Sequence, residues 1–272
     1  MQEERIGRVG QIKIYTGKCF RLFVSEKQWT NWVSTAIIMG IIMLVVSEDM
    51  FVAFSDTKMG FFAMICACIW VGLFNSIRSI CRERAIIKRE HRTGLHISSY
   101  ILAHVIYEAA ICVVEGLIVL AMVFIKCHAY FPVAGLVFPA LVDLYITFWL
   151  TIFGADMIAV MISSIVKSEN TAMTVMPFVL IIQLVMSGAV FTLKGVTEAI
   201  SYFTLSKWGL SAVCAVANTI DSLYWRYLAS GVDGYDPTAG NLLCCWLYMA
   251  VFTLVYIIIS IIALKQVDRD KR

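Results

Sequence analysis

Residues 76–105 read SIRSICRERAIIKREHRTGLHISSYILAHV. Upstream of this stretch, Gly60–Ile77 carries no charged side chain, and downstream Ser99–Ile125 carries only Glu108 and Glu115. Between the two runs sit Arg78, Arg82, Glu83, Arg84, Lys88, Arg89, Glu90 and Arg92. A helix needs roughly 20 apolar residues to cross a hydrocarbon core, so a charged seam between two such runs lies at a membrane surface. Backbone crossing lipid must satisfy its own hydrogen bonds, which favours helices here. The seam therefore decides the class: an all-α polytopic membrane protein.

The rest of the chain repeats the pattern. Of its 272 residues, 60% are hydrophobic and 15% charged, against about 45–50% and about 25% in a soluble domain. Six membrane-spanning helices are expected: Thr30–Val46, Gly60–Ile77, Ser99–Ile125, Ala140–Val166, Thr171–Val190 and Asn241–Leu264. Pro177 falls inside the fifth and is expected to kink it, because the ring removes one backbone hydrogen bond. Orientation follows from the basic residues, which collect on the cytoplasmic side of short connections. With the N-terminus inside, seventeen Lys and Arg are cytoplasmic, against five (Lys58, Lys126, Lys194, Lys207 and Arg226) outside. Both termini are expected in the cytoplasm.

Two segments are neither spans nor plain loops. Within a cytoplasmic arm, residues 1–28, Ile12, Tyr15, Cys19, Leu22 and Phe23 recur at helical spacing, with Lys13, Lys18 and Arg21 on the other side. This pattern reads as a basic amphipathic elbow helix lying in the interface. Before the sixth span, Phe191–Val213 is too apolar for a free loop and reads as a re-entrant or interfacial extracellular segment. A polar outer loop is expected over residues 215–240. Residues 29–265 then form the transmembrane domain and 266–272 a cytoplasmic tail. A cleavable signal peptide is not expected, since the N-terminus is charged and the first apolar run begins near Trp29. The nine cysteines show no CxxC pair and lie mostly in apolar runs, as small packing residues do, so no metal site is expected.

Carboxylates within the spans need partners or protons, since an isolated charge in a bilayer is costly. Glu108 and Glu115 share one face of the third span, and Asp143 and Asp156 lie on the fourth. At about 1.5 Å per residue, Glu108 and Asp156 come to similar depths. His104, four residues before Glu108, is its natural neighbour. This polar intramembrane network reads either as glue between helices or as a proton relay.

Glu83, Arg84, Glu90, Gly94 and Ser98–Tyr100 resemble the intracellular coupling segment of White-type permeases, the G subfamily of ATP-binding-cassette exporters. FTLSKWGLSAV, residues 203–213, is similar to that family's aromatic-basic-aromatic-Gly segment before its sixth helix, and Ser187-Gly188 stands where its fifth helix ends. The resemblance spans about residues 10–265 in matching order. It implies a permease that dimerises, with a coupling helix between the second and third spans. It further implies a substrate pathway between the second and fifth spans of two copies. By the same resemblance Phe62, Cys66, Ile69, Phe178, Leu180, Ile181 and Leu184 line the pathway, and Ala189 and Val190 form the extracellular gate. Two positions depart from the family: Ile69 replaces an aromatic clamp, and Ala189-Val190 replaces a leucine plug. The substrate class is therefore not carried over.

No G-x-x-x-x-G-K-[ST] phosphate loop occurs in the sequence. ATP and Mg are expected on a separate nucleotide-binding ATPase subunit docking on Arg82, Glu83, Arg84, Lys88, Arg89, Glu90 and Arg92, with no cofactor on this chain. The further partners are a second permease, identical or related, and membrane lipids, with no nucleic acid. The chain is expected in a bacterial cytoplasmic membrane, exporting a hydrophobic or amphipathic substrate. The alternative is a proton- or ion-coupled secondary transporter using the intramembrane carboxylates. Hydrolase and zinc-protease motifs are absent, so the chain itself is not expected to be an enzyme.

Overall fold

The computed structural model describes residues 7–46, 50–51, 54–128, 131–191, 193–217 and 235–266. The first six residues, the tail beyond Gln266 and most of the expected outer loop, with Arg226, lie outside these. Among the described residues all regular structure is helical. In chain order α1 is Arg8–Ser25, α2 Thr30–Val45, α3 Phe54–Ser76, α4 Ser79–Arg92 and α5 Ile97–Cys127. There follow α6 Ala140–Ile165, α7 Glu169–Val185, α8 Val196–Ser201, α9 Leu205–Ala217 and α10 Ala239–Leu264.

Six of these helices stand where the apolar runs stand, but they are not equivalent. Four helical stretches are long and apolar enough to cross a membrane: α3 with α4 as its continuation, α5, α6 and α10. A fifth results if α1 and α2 count as one broken span. Of the six expected spans, α2 and α7 are the short ones, with 16 and 17 residues. At about 1.5 Å per residue each covers roughly 25 Å, short of the roughly 30 Å hydrocarbon core. The fifth run also stops sooner than expected. α7 ends at Val185, and Gly188 at φ +74° turns the chain away, so Ala189 and Val190 lie beyond the helix. Between α1 and α2 the chain bends by 67°, with Lys27 at φ +55° in the break. Ala215–Ala217, expected in the outer loop, instead complete α9.

α6 is the hub. It packs against α3, α5, α9 and α10, with smaller contacts to α4 and α7. Its sequence explains this position, because Gly154, Ala155, Ala159 and a series of hydroxyl residues let neighbours approach closely. Thr147, Thr151 and Ser164 donate to carbonyls one turn back, at 2.8, 2.7 and 2.8 Å, so their hydroxyls are satisfied without water. Gly72 of α3 makes the closest approach. A Cβ there would collide with the Ile152 carbonyl oxygen and the Ala155 side chain.

Helix starts follow local chemistry. Ser168 caps α7 by accepting from the Thr171 amide at 3.2 Å, and Thr238 caps α10 through Asn241 at the same distance. Asp143 accepts the amides of Leu136, Val137 and Phe138 at 2.8, 3.2 and 3.0 Å. This carboxylate therefore holds the α5–α6 connection and takes no part in the network at Asp156.

Candidate functional site

Three regions carry the residues singled out by the sequence. The first is α4, whose two faces differ. Ile80 and Ile87 are buried, while Arg82, Ala85, Ile86, Arg89 and Arg92 form an exposed stripe. The helix is fixed at both ends. Ser163 of α6 accepts the amides of Ile80 and Cys81 at 3.1 and 3.0 Å, acting as an N-cap supplied from another helix. At the C-terminus Gly94 sits at φ +113°, its amide on the His91 carbonyl, and the Leu95 amide reaches the Glu90 carbonyl. This is the Schellman pattern that favours glycine.

Several charges of α4 face inward. Glu83 accepts from Lys18 and from the Tyr100 hydroxyl, both at 2.9 Å. Glu90 accepts from Tyr15 at 2.7 Å. Arg84 donates to the carbonyls of Ser164 and Val166 at 2.9 and 3.0 Å, closing the C-terminus of α6. Arg82 makes a two-pronged pair with Glu26 across the α1–α2 break, at 3.0 and 2.9 Å. Its guanidinium holds the Glu26 carboxyl below the ordinary carboxylate value of 4.5. On α1, burial and then Glu90 push the Tyr15 hydroxyl well above its usual value. The seven residues expected at a coupling surface thus divide. Glu83, Arg84 and Glu90 anchor the helix, Arg89 and Arg92 face outward, and Arg82 does both. Lys88 is half-buried between the two faces.

The second region lies between α3, α5 and α6. Glu108, Glu115 and Asp156 are 4%, 0% and 0% exposed. Asn75 donates to both oxygens of Glu115, at 2.9 and 3.0 Å. Ser76 donates to Asp156 at 3.1 Å and also reaches Glu108. The Cys112 thiol donates to Asp156 at 2.8 Å. One donor atom each from Cys112, Glu115 and Asp156 lies within 4.8 Å of the others, a spacing a small cation could bridge. Both carboxylates, however, already take hydrogen bonds from Asn75, Ser76 and the thiol. The structure gathers the three carboxylates but leaves His104 out. Its Nε2 faces the Cys19 sulfur at 4.0 Å, and its Nδ1 has no partner. Asn75, Ser76 and Cys112 were not singled out from the sequence. Cys112, one turn from Glu108 on the same helix face, could have been found by that spacing.

The third region is the apolar stripe shared by α3 and α7. Phe62 and Cys66 are half-buried, but Ile69 is wholly buried against the core and does not share their open face. The stripe continues instead at four-residue spacing through Trp70 and Phe74, which stack at 5.3 Å. Trp70, Phe74 and Leu73 meet Met176 and Leu180 of α7. On α7, Phe178 is 64% and Ile181 54% exposed, while Leu180 is buried and Leu184 half-buried. Beyond its end, Ala189 is half-buried and Val190 exposed. α8 and α9 fold back over this end. The Ser206 amide reaches the Gln183 side chain at 3.1 Å, and the Ser206 hydroxyl donates to the Gln183 carbonyl. Lys207 lies 3.4 Å over the Tyr202 ring, and Trp208 stacks on Tyr248 of α10 at 4.1 Å.

Comparison with known proteins matches this arrangement to a family. Residues 10–218 fit the ABC-2 type transporter family. The chain is also 27% identical, over 175 residues, to the ABC transporter ATP-binding/permease protein Rv1747 of Mycobacterium tuberculosis. That alignment covers 60% of this chain and 20% of the relative, so the chain spans about a fifth of the relative's length. The match agrees with the White-type resemblance read from the sequence, and with an integral membrane protein acting as the membrane subunit of an ABC transporter. The chain belongs to the ABC-2 type transporter family.

Proposed function

We propose that the chain is one permease of an ATP-driven exporter, assembled from two permeases and two nucleotide-binding ATPase subunits that bind ATP and Mg. The observation that carries this reading is α4. An amphipathic helix rich in charge is clamped by its inner face to α1 and α6, and it presents Arg82, Ala85, Ile86, Arg89 and Arg92 outward. A rigid lever of this kind transmits motion of a docked ATPase into the bundle, because both of its ends are fixed to other helices. In this reading α4 is the coupling helix and α1, set at 67° to α2, the elbow in the cytoplasmic interface. The six apolar helices α2, α3, α5, α6, α7 and α10 cross the bilayer, both termini are cytoplasmic, and α8–α9 re-enter from outside.

The second copy covers the apolar face of α7 and the stripe of α3. Phe62, Cys66, Trp70, Phe178 and Ile181 then line a path between the copies, and Ala189 and Val190 close it outside. Ile69 and Leu180 support that wall from behind. Large apolar and aromatic linings suit a hydrophobic or amphipathic substrate. ATP binding shifts the pair from inward- to outward-open through its differential affinity for the two states. The membrane is bacterial, as is that of the relative. Family membership supports this reading over a proton- or ion-coupled secondary transporter.

The test is purification of the chain from its native membrane in mild detergent. A stoichiometric ATPase is expected to accompany it and to be lost in Arg89→Glu, which leaves the inner clamp of α4 intact. If wild-type chain and the Arg89→Glu variant retain the same partners, α4 is not the docking surface. If no nucleotide-hydrolysing partner appears at all, the exporter reading fails.

A further inference from the structure

A cavity of about 810 Å³ opens between α1, α2, α3, α4 and α5, within one copy of the chain. Its volume falls in the range of about 300–1,000 Å³ typical of small-molecule sites. The charges at its outer end are largely matched. Lys18 pairs with Glu83, Arg82 with Glu26, and Arg78 and Glu169 carry opposite signs. One wall is aromatic, with Trp70 and Phe74 stacked at an interplanar angle of 21°. Leu22, Ile38 and Ile111 add apolar surface, interspersed with polar side chains such as Asn31, Thr35 and Asn75.

One buried charge in the lining is not matched. Glu108, 4% exposed, lines the cavity and has no cationic partner among the described residues. Its contact is the Ser76 hydroxyl, which is already directed at Asp156. His104, 7% exposed, lines the same cavity, with its Nδ1 closed off from it. A buried carboxylate without a counter-charge is costly. A ligand cation carrying N–H donors answers the need of Glu108. Aromatic faces beside it add cation–π attraction.

We propose that this cavity binds the primary ammonium group of an amphiphile, with the ammonium donating to Glu108 and the apolar chain lying along Trp70 and Phe74. The site lies inside one protomer and borders the path proposed between two copies, with Trp70 common to both. A phosphatidylethanolamine headgroup and a soluble long-chain amine share this chemistry. A quaternary ammonium does not, having no N–H to give.

The experiment is equilibrium binding of labelled dodecylamine to the full chain with its partner subunits, in phosphatidylcholine nanodiscs and without ATP. Saturable binding is expected, unaffected by dodecanol as competitor. Glu108→Gln is expected to weaken it about tenfold or more, and Trp70→Leu about fivefold. Should Glu108→Gln fail to assemble, dodecyltrimethylammonium on the wild type replaces it, with affinity expected about tenfold lower than dodecylamine. Absence of saturable binding, equal competition by dodecanol, or unchanged affinity in Glu108→Gln or for the quaternary analogue would overturn the proposal. With the site present, weaker amine binding in phosphatidylethanolamine discs assigns it to the lipid headgroup, and equal binding to a soluble amine. Because neither ATP nor flux is read, failure here leaves the exporter reading standing, and failure of that reading leaves this site standing.

Discussion

α6 and α7 are both apolar helices that begin on a capped or proline-led turn, yet they occupy opposite places in the molecule. α6 is enclosed by four other helices, while α7 touches its neighbours lightly and turns Phe178, Ile181, Ile182 and Val185 outward. Hydropathy does not separate them; the small residues Gly154, Ala155 and Ala159 of α6 do. The small and hydroxyl-bearing positions of α6 allow close approach and internal satisfaction, whereas nothing among the described residues receives the bulky face of α7. In lipid, such a face is either solvated by acyl chains or covered by another protein surface. The difference teaches that the hub of this fold is specified by what its helices omit, and that its periphery is built for a partner.

Substitutions at the hub should therefore unfold the chain, while those at the periphery should spare the fold and disturb assembly. The largest effect is expected at the α3–α6 crossing, where Gly72→Leu drives a side chain into the Ile152 carbonyl oxygen. A loss of about 3 kcal/mol is expected there, read as a large drop in thermal midpoint in detergent. By contrast, Phe178→Ala with Ile181→Ala should leave that midpoint within about 0.5 kcal/mol while weakening dimerisation about tenfold or more, read by size-exclusion chromatography with light scattering. A large stability loss in the double variant would show that α7 is part of the hub after all.

The same contrast recurs within α4 on a smaller scale. Ser163→Ala removes the hydroxyl that accepts from Ile80 and Cys81, and a cost of about 1 kcal/mol is expected, seen as faster hydrogen exchange at the start of α4. The outward-facing Arg89→Ala should leave that exchange unchanged.

The smallest effect concerns acid. Because Arg82 lowers the Glu26 pKa, their pairing is present above the ordinary carboxylate range and is lost as pH falls through the lowered value. Both partners are partly exposed, so solvent and salt screen the pair and its contribution is modest. Arg82→Met should flatten the acid limb of stability below about pH 4.5 relative to wild type, measured by thermal unfolding at low ionic strength. An identical acid limb in the variant would show that this tie between α1 and α4 contributes nothing.

Much of this was legible in the sequence because lipid leaves the backbone few options. Apolar runs and the charged seam located α3, α4, α5, α6 and α10 to within a few residues except at the start of α3. Seven-residue spacing put Glu108 and Glu115 on one face. Other features depended on tertiary geometry. Inward turning of Glu83 and Arg84 follows from Lys18, Tyr100 and the carbonyls at the end of α6, none of which is near in sequence. His104 sits one turn from Glu108, yet the packing of α1 brings Cys19 to its Nε2 instead. Ile69 lies three residues from Cys66, and that step, against a step of four to Trp70, carries it round into the core. Gly188 was visible as a family feature, but its positive φ, which shortens α7 and frees Ala189 and Val190 from the helix, appears only in the folded backbone.

The most direct measurement places a photocrosslinking residue at Ile86 on the outer face of α4, and separately at Ile181 on α7, in the native membrane. The probe at position 86 is expected to capture a nucleotide-binding ATPase, and the probe at position 181 a second permease. Lipid adducts alone at both positions would contradict an ATP-driven permease coupled through α4 and paired through α7.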